Sequence, residues 1–360
     1  MNLAFLTSST GYGGLEQNLV RHARWMRERG HAVTVFCVPG SPTAAAAEAE
    51  LGAEAVRAMR RQRRYFPGPV VREVAPQLAG MEVLWVRDPR DLALAGRAAR
   101  KAGIACIFQQ GMQLPRPRRL PWHRVRYGRV TRWVAPLEHL REEVLRNTPL
   151  DPQRVRVIPL GLEDHWYGPL PDAQEARAAL NLPAEVRLVG CFGRLDPLKG
   201  QHVLIEALAH LPESTHALIL GDATVNADGG YAAGLGPRAD ALGVAHRVHF
   251  RPGMRDVRPA YAALDVFALC SASESIGMVT LEALACGLAV VGTEAGGTPE
   301  VLGHGRWGLL VPPDDAEALA QAVEAAQEQE RRGEAVAQNA RGGVVDRWEA
   351  LCAEAAAAGR

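Results

Sequence analysis

The chain has 360 residues, of which 48% are hydrophobic and 22% charged, as in a globular protein large enough for two domains. It has no uncharged apolar run of the roughly 18–20 residues that a membrane-spanning helix needs, and its first ten residues lack the basic leader of a signal peptide. We therefore expect a cytoplasmic protein. The six cysteines are scattered without a C-x-x-C pair, which predicts reduced core thiols and not zinc ligands or disulfides.

The net charge of +1 conceals an uneven distribution. Residues 1–150 carry 24 Lys and Arg against 12 Asp and Glu, a net charge of +12, whereas the remaining 17 basic and 28 acidic residues give residues 151–360 a net charge of −11. The basic half predicts a polyanionic surface or substrate on that side. Attraction between the two halves, or an arginine content raised by a GC-rich genome, would account for the same distribution.

Strand-like and helix-like segments alternate along the first half of the chain. The predicted strands are Asn2–Ser8, His31–Val38, Glu82–Val86, Ile104–Gln109, Trp133–Pro136 and Val155–Pro159. The predicted helices are Gly14–Arg29, Ala44–Arg64, Asp91–Lys101 and Leu137–Arg146.

The alternation resumes after a stretch rich in Pro and Gly, Pro159–Pro171. Two such series predict an α/β protein with two doubly wound domains, whose parallel sheets are covered by helices on both faces. Ligands bind beyond the carboxyl ends of such strands, and a shared ligand would lie in a cleft between facing domains. The predicted strands are Val186–Phe192, His216–Leu220, Val248–Phe250, Val266–Cys270, Leu288–Gly292 and Leu309–Val311, and the helices are Gln201–Leu211, Val279–Cys286 and Asp315–Gln329.

Two glutamates, Glu274 and Glu282, are the most informative residues of the second half. Glu274 follows the predicted buried strand Val266–Cys270, and Glu282 lies in the helix predicted next. A strand, a short polar loop and a helix N-terminus form a place where an anion can bind. Each carboxylate can accept hydrogen bonds from hydroxyls. A ligand with a phosphate between two hydroxyl-rich groups fits both features, and a nucleotide-sugar is such a ligand.

Two basic residues, Arg194 and Lys199, follow the first strand of the second half and could neutralise a diphosphate. Lys101 and Lys199 are the only lysines, so the ammonium at position 199 stands out in a chain that otherwise uses Arg. A compact ammonium in a Gly-flanked loop before a helix suits phosphate binding. The alternative is that Lys199 is an ordinary surface residue.

A Gly-rich turn, Thr10–Glu16, follows the first strand of the chain. Glycines let the backbone approach a ligand, and the following helix N-terminus favours negative charge. The turn lacks the G-x-G-x-x-G pattern and no acidic residue ends the second strand, which argues against an NAD site. Taken alone, the turn is equally consistent with a simple tight turn.

Five motifs follow one another along the chain: Gly13-Gly14-x-Glu16, Val157–Gly161, Gly193-Arg194-Leu195 with Lys199-Gly200, Glu274 to Glu282 as E-x7-E, and Gly296–Glu300. In this order and spacing they resemble the retaining glycosyltransferases of family 4, which have the GT-B fold. The resemblance covers nearly the whole chain and implies an N-terminal acceptor domain, 1–160, and a C-terminal donor domain, 161–340. The last helix, about 340–360, is expected to pack back on the first domain.

The resemblance also implies a role for each matched position. Glu274 would contact hydroxyls of the transferred sugar, and Arg194 and Lys199 would hold the diphosphate; these three are the predicted catalytic residues. Glu282 would bind the ribose, Met254 would border the base, and Gly14 would lie near the distal phosphate when the cleft closes. The predicted donor-binding residues are Gly13, Gly14, Gly193, Met254, Ser275, Ile276, Gly277, Met278, Val279 and Glu282.

The chain departs from the family on the acceptor side. Many members place a His after an N-domain strand near the anomeric carbon, where this chain has Gln109 and Gln110. A Gln can orient a sugar but cannot act as a base. This suits a mechanism in which the leaving phosphate accepts the acceptor's proton. His123 is a candidate substitute, although a lone His is more often structural or solvated. With Glu16, these residues form the predicted acceptor side.

Two segments that combine Arg with aromatic residues, Arg60–Phe66 and Pro115–Arg132, suit an anionic membrane surface. Family members often glycosylate lipid-linked acceptors. We therefore expect a glycan or lipid-linked acceptor, a role in cell-envelope polysaccharide, lipopolysaccharide or glycolipid synthesis, and peripheral attachment to the inner face of the membrane. Nucleic acid is a competing partner, but the sequence has no nucleic-acid-binding motif.

The sequence thus predicts a retaining glycosyltransferase that uses a UDP- or GDP-linked sugar and no cofactor. Family members typically need no metal, and the chain has no Asp-x-Asp to hold one. One alternative is a sugar-nucleotide epimerase or hydrolase on the same fold. Another is a non-catalytic nucleotide-sugar-binding module, against which the intact Glu274, Glu282, Arg194 and Lys199 argue.

Overall fold

In the computed structural model, which describes residues 1–62, 67–223, 230–326 and 333–359, the chain forms two compact units. Unit 1 comprises residues 1–161 and 342–360, and unit 2 comprises residues 162–341. Within the described residues, no helix has the length and apolar character needed to cross a membrane. All six cysteines are buried and none forms a disulfide.

Unit 1 contains a seven-stranded parallel sheet with the strand order β3-β2-β1-β4-β5-β6-β7. Its strands are β1 (Asn2–Leu6), β2 (Ala32–Cys37), β3 (Val56–Ala58), β4 (Val83–Val86), β5 (Ala105–Gln109), β6 (Arg132–Ala135) and β7 (Val155–Val157). Its first six helices are α1 (Gly14–Glu28), α2 (Pro42–Leu51), α3 (Gly68–Val74), α4 (Leu92–Ala102), α5 (Pro121–Tyr127) and α6 (Glu138–Asn147).

Unit 2 contains a six-stranded parallel sheet with the strand order β10-β9-β8-β11-β12-β13. Its strands are β8 (Arg187–Phe192), β9 (Thr215–Leu220), β10 (Val248–Arg251), β11 (Val266–Leu269), β12 (Ala289–Thr293) and β13 (Leu309–Val311). Its helices are α7 (Ala173–Ala179), α8 (Gln201–Ala207), α9 (Gly230–Ala241), α10 (Arg258–Ala262), α11 (Met278–Ala285), α12 (Thr298–Val301) and α13 (Ala316–Ala325).

The last helix, α14 (Arg341–Gly359), completes the core of unit 1. Trp348 is fully buried, and its ring stacks on Trp85 of β4 with centroids 3.9 Å apart. Phe5 of β1 also stacks on Trp85, with centroids 5.0 Å apart. Strands such as β4 are buried on both faces and consist of apolar residues, as expected for a parallel sheet covered by helices.

Each sheet has one point where its strand order reverses. In unit 1 the chain passes outward from β1 through β2 and β3, and then in the other direction from β4, so the reversal lies between β1 and β4. In unit 2 it lies between β8 and β11. Doubly wound sheets bind ligands beyond the carboxyl ends of the strands at these points. The two doubly wound domains predicted from the sequence are confirmed.

The predicted long helix Ala44–Arg64 is wrong. Helix α2 ends at Leu51, because Gly52 takes a positive φ of 80° that no helix continues. The chain then forms β3, in which Val56 pairs with Val35 at the sheet edge. Residues 63 and 64 of the predicted helix lie outside the described residues, as do residues 327–329 of the predicted helix Asp315–Gln329.

Candidate functional site

The loop between β11 and α11 fixes the position of Glu274. The backbone N–H of Gly297 donates to the Glu274 carbonyl oxygen at 2.8 Å, and the N–H of Ser275 donates to Glu274 Oε1 at 3.2 Å. Gly277 adopts a φ of 75° at the start of α11, and a Cβ atom there would lie 3.2 Å from Glu274 Cγ. The carboxylate is therefore held at the N-terminus of a helix at the β8/β11 edge. Ile276 is buried, whereas Met278 and Val279 are partly exposed on the first turn.

Lys199 meets Glu274 directly. Lys199 Nζ lies 2.5 Å from Glu274 Oε2, and the two side chains are 24% and 13% exposed. Gly200 makes this approach possible, because a Cβ atom at that position would lie 2.1 Å from the carbonyl oxygen of Cys270 at the end of β11. The structure thus brings together the cation predicted to hold the diphosphate and the carboxylate predicted to hold the sugar.

The loop that carries Gly193 and Arg194 is held by hydrogen bonds to its backbone. Gln201 of α8 donates from Nε2 to the Arg194 carbonyl oxygen at 2.8 Å. The Tyr231 hydroxyl of α9 in turn donates to Gln201 Oε1 at 3.1 Å. The Arg194 side chain itself is exposed. This arrangement presents a guanidinium to solvent from a hydrogen-bonded loop at the carboxyl end of β8.

Asp222 connects this loop to the loop predicted to border the base. Its carbonyl oxygen accepts from the Leu195 N–H at 2.8 Å, and its Oδ1 accepts from the Gly253 N–H at 3.1 Å. Met254, the next residue, is partly buried. The loops after β8, β9 and β10 therefore form one hydrogen-bonded cluster at the same sheet edge.

Tyr261 positions Glu282. The Tyr261 hydroxyl lies 3.0 Å from both Glu282 Oε2 and the Val279 carbonyl oxygen. Its ring is fully buried against Phe192 and Phe267. Burial, and then the Glu282 carboxylate, raise the pKa of Tyr261 well above its ordinary value, so the hydroxyl stays protonated and able to donate. Sequence reasoning missed Tyr261; its only signal is one aromatic residue in an alanine-rich helix.

In unit 1, Glu16 caps the helix that the Gly-rich turn begins. The Gly13 N–H donates to Glu16 Oε2 at 2.9 Å, and Gly14 is the first residue of α1. The Glu16 side chain is largely buried. This contact explains the spacing of the Gly-x-x-Glu motif, because the residue three positions into a helix can reach back to the N-cap backbone.

The side-chain amides of Gln109 and Gln110 both form polar contacts inside unit 1. Gln109 Oε1 accepts from Trp85 Nε1 at 3.1 Å, and its Nε2 lies 3.3 Å from His22 Nε2. Gln110 Oε1 accepts from Trp133 Nε1 at 2.9 Å, and its Nε2 donates to a backbone carbonyl two residues on. These contacts favour structural roles for both amides. Their predicted role on the acceptor side stays a prediction.

His123 lies on α5, apart from the Gln pair, beside a pocket of about 650 Å³. The His123 ring is buried, and its Nδ1 has no hydrogen-bond partner among the described residues. Burial lowers the pKa of His123, and the positive charges of Arg118 and Arg126 lower it further. The pocket that His123 lines is basic.

Sequence reasoning also missed Arg87, which directly follows β4. It is only 2% exposed, and its Nε and Nη1 atoms are buried without a hydrogen-bond partner in the described parts of the chain. Burial, and then repulsion from Arg21, lower the pKa of Arg87 to about 9, while Glu16 acts in the opposite direction. The available signal was a charged residue immediately after an apolar strand at the point where strand order reverses.

Over the same described ranges, no group of three or more His, Cys, Asp or Glu side chains is arranged to hold a metal ion.

Solved structures of known proteins share this fold. The protein HepE from Anabaena in complex with UDP-glucose aligns over 98% of this chain and 100% of its own, with a TM-score of 0.81 and 25% sequence identity. The lipopolysaccharide outer core galactosyltransferase WaaB aligns over 98% of this chain and 99% of its own, with a TM-score of 0.77 and 14% identity. The fold is that of the GT-B glycosyltransferases.

Sequence comparison gives the family. Residues 172–343 match the family described as glycosyl transferases group 1, and residues 12–166 match the one described as glycosyltransferase family 4. The chain therefore belongs to the family 4 glycosyltransferases, which confirms the predicted family.

Curated relatives match about half of the chain. A D-inositol 3-phosphate glycosyltransferase from Mycobacterium ulcerans is 36% identical over 178 residues, which cover 48% of this chain and 37% of the relative. The enzyme of the same name from Corynebacterium jeikeium is 36% identical over 182 residues, 47% of this chain and 43% of the relative. These alignments span less than half the length of either relative.

Proposed function

We propose that this protein is a retaining glycosyltransferase that transfers a sugar from a nucleotide-sugar, with UDP as the first nucleotide to test, to an acceptor hydroxyl. The observation that carries the proposal is the contact between Lys199 and Glu274 at the β8/β11 edge of unit 2. It places a cation for phosphate beside a carboxylate for hydroxyls, as a nucleotide-sugar requires. The complex of HepE with UDP-glucose supports UDP as the nucleotide.

In this proposal unit 2 binds the donor. Arg194 and Lys199 neutralise the diphosphate, Glu274 orients the sugar, and Glu282, held by Tyr261, accepts hydrogen bonds from the ribose. The backbone of the first turn of α11, Gly277–Val279, faces the phosphates. Met254 borders the base. Unit 1 binds the acceptor.

The reaction exchanges one bond for another on the same face of the sugar. The bond from the anomeric carbon to the diphosphate oxygen breaks, and a bond from that carbon to the acceptor oxygen forms. The leaving phosphate oxygen takes the proton of the acceptor hydroxyl. The cations Arg194 and Lys199 stabilise the charge that develops on this phosphate, which lowers the barrier.

The test is incubation of the purified protein with UDP- and GDP-sugars, with and without glycan and lipid-linked acceptors. Transfer that depends on acceptor and retains the anomeric configuration supports the proposal. A donor product formed equally well without acceptor would instead identify an epimerase or hydrolase. Donor binding without turnover across the whole acceptor panel would identify a binding module.

Tyr261→Phe is expected to raise the KM for the donor about fivefold, because it removes one hydrogen bond worth about 1 kcal/mol from the carboxylate of Glu282. The kcat should change less, since the ribose is remote from the bond that breaks. Steady-state kinetics measure both constants. Tyr167→Phe is the matched control, because that hydroxyl donates to the Val336 carbonyl oxygen and not to a carboxylate of the site. Equal effects of the two variants would contradict the role of Tyr261.

The acceptor-side unit also carries a surface suited to an anionic membrane. Four side chains between residues 112 and 125 are large, apolar and more than half exposed. The adjacent pocket contains no Asp or Glu among its described lining residues. Apolar side chains beside arginines favour insertion at an anionic lipid interface. The apolar residues are Met112, Leu120, Trp122 and Val125, and the arginines are Arg90, Arg97, Arg118, Arg126 and Arg129.

We expect the protein to sediment with anionic vesicles of phosphatidylglycerol and phosphatidylcholine at low salt, and less with phosphatidylcholine alone. Trp122→Ala combined with Val125→Ala should weaken binding about tenfold, because two apolar side chains no longer enter the interface. Leu242→Ala with Phe250→Ala, two exposed apolar residues of unit 2, should leave it unchanged. Absence of sedimentation at low salt would refute the proposed membrane association.

Residues 63–66 of the other predicted membrane-facing segment, Arg60–Phe66, lie outside the described residues.

A further inference from the structure

The side chain of Arg87 lies at the point where unit 1 is expected to bind a ligand. Arg87 follows β4, and the strand order of the sheet reverses between β4 and β1. The Gly-rich turn that leads into α1 follows β1 at the same edge. A buried charged side chain therefore occupies the carboxyl edge of the sheet at its switch point.

The guanidinium lies beside the first turn of α1. A Cβ atom placed on Gly111 would lie 3.3 Å from Arg87 Nη2 and 2.3 Å from Leu15 Cδ2, so the loop after β5, the arginine and the α1 N-terminus converge. The N-cap residue of α1 is Gly13, so no N-cap side chain accepts from the N–H groups of the first turn. The Glu16 carboxylate accepts from the Gly13 N–H.

Arg87 differs from the other buried arginines of the described chain. Arg177 donates to Asp265 Oδ2 at 2.7 Å and to three backbone carbonyl oxygens. Arg247 donates to four backbone carbonyl oxygens. Arg87 forms no ion pair within 4 Å with any described residue, and two of its nitrogens are buried without a partner. A buried cation without an ion-pair partner is costly, and Glu16, which acts on Arg87 electrostatically, makes no such pair, so the position suits an anion from elsewhere.

We propose that Arg87, which lies beside the first turn of α1, binds an anionic group, a carboxylate or a phosphate, on the acceptor. The donor diphosphate is assigned to Arg194 and Lys199 of unit 2, with Gly14 predicted near its distal phosphate. The anion assigned to Arg87 is a different one, on the acceptor, so its binding should persist in saturating UDP. A guanidinium and backbone N–H groups are both suited to carboxylate and phosphate oxygens. The identification of the ligand as the acceptor rests on the proposed function. The existence of the anion site does not.

The test measures the melting temperature of the full-length protein at pH 7, with and without saturating UDP, in inorganic phosphate or D-glucuronate at constant ionic strength. In the presence of UDP, at least one of the two anions is expected to raise the melting temperature, while D-glucose does not. Arg87→Gln should weaken the response at least tenfold in apparent Kd. Arg87→Lys, which keeps the charge, should retain part of it. Arg72→Gln, an exposed arginine on α3, is the matched control and should respond as the wild type does.

Without anion, Arg87→Gln is expected to melt no lower than the wild type, since it removes a buried charge that has no ion-pair partner among the described residues. A lower melting temperature with an unchanged anion response would assign Arg87 a structural role and overturn the proposal. An equal response to glucose and glucuronate would also overturn the proposal. A response to anions that UDP abolishes would overturn it as well, because it would locate the anion at the donor phosphates. If Arg87→Gln does not fold, the Arg87→Lys titration decides. Failure of UDP to bind would count against the proposed function alone, because the anion titration without UDP still reports on Arg87.

Discussion

Lys199→Met is expected to lower kcat for sugar transfer about 10²- to 10³-fold, the usual effect of removing one group that stabilises charge in the transition state. The physical reason is that the leaving diphosphate loses a cation held at a fixed position beside Glu274. Steady-state transfer assays with saturating donor give kcat. Lys101→Met replaces the other lysine of the chain, which is exposed on α4, and should leave kcat unchanged.

The contact between Lys199 and Glu274 allows a stricter version of this experiment. Residues in contact do not contribute independently, so Lys199→Met combined with Glu274→Gln should cost less than the product of the two single effects. Lys199→Arg tests whether charge alone is sufficient, and we expect only partial activity because the guanidinium is larger and planar. Unchanged transfer in Glu274→Gln would refute the assignment of that carboxylate.

Gly200→Ala is expected to destabilise the protein by about 2–5 kcal/mol, combining about 1–2 kcal/mol for a left-handed residue and about 1–3 kcal/mol for overpacking. Gly200 has a φ of 69°, and an added Cβ would lie 2.1 Å from the Cys270 carbonyl oxygen. Urea unfolding gives the change in the free energy of unfolding.

Gly243→Ala separates the two causes. Gly243 has nearly the same φ, 72°, but an added Cβ would meet no atom within 4 Å. We therefore expect only the backbone cost, about 1–2 kcal/mol. If Gly200→Ala cost no more than Gly243→Ala, the close approach of the two loops would not constrain position 200. A loss of donor affinity in Gly200→Ala should accompany the loss of stability, because the same contact aligns Lys199 with Glu274.

The elements that the sequence predicted well are those set by local pattern. Apolar runs separated by helical periodicity located the described strands of both sheets except β3, and the spacing of Glu274 and Glu282 located α11. The predicted helix Ala44–Arg64 failed, because the alanine-rich stretch carries helical propensity across Gly52 whereas β3 forms by pairing with β2. Pairing between strands is a tertiary effect that propensity does not contain.

The residues of the candidate site divide in the same way, into those that local sequence reveals and those that depend on tertiary contacts. Glycines with a required backbone conformation and charges at strand ends are visible in a single sequence, and they pointed to Lys199 and Gly200. Tyr261 and Arg87 were missed because their importance lies in what surrounds them: a carboxylate one helix away for the first, and an absence of hydrogen-bond partners among the described residues for the second. Gln109 and Gln110 were visible, but their partners Trp85 and Trp133 come from other strands.

The assignment of α14 to unit 1 has a consequence for the order of folding during synthesis. Unit 2 is continuous in sequence, so its whole core is available once residue 341 has left the ribosome. Unit 1 begins first but lacks Trp348, which stacks on Trp85, until the last segment has emerged. Domains usually complete their folding in order from the N-terminus, but here unit 2 can complete its core before unit 1 does. Until α14 is made, part of one face of the unit 1 sheet stays uncovered.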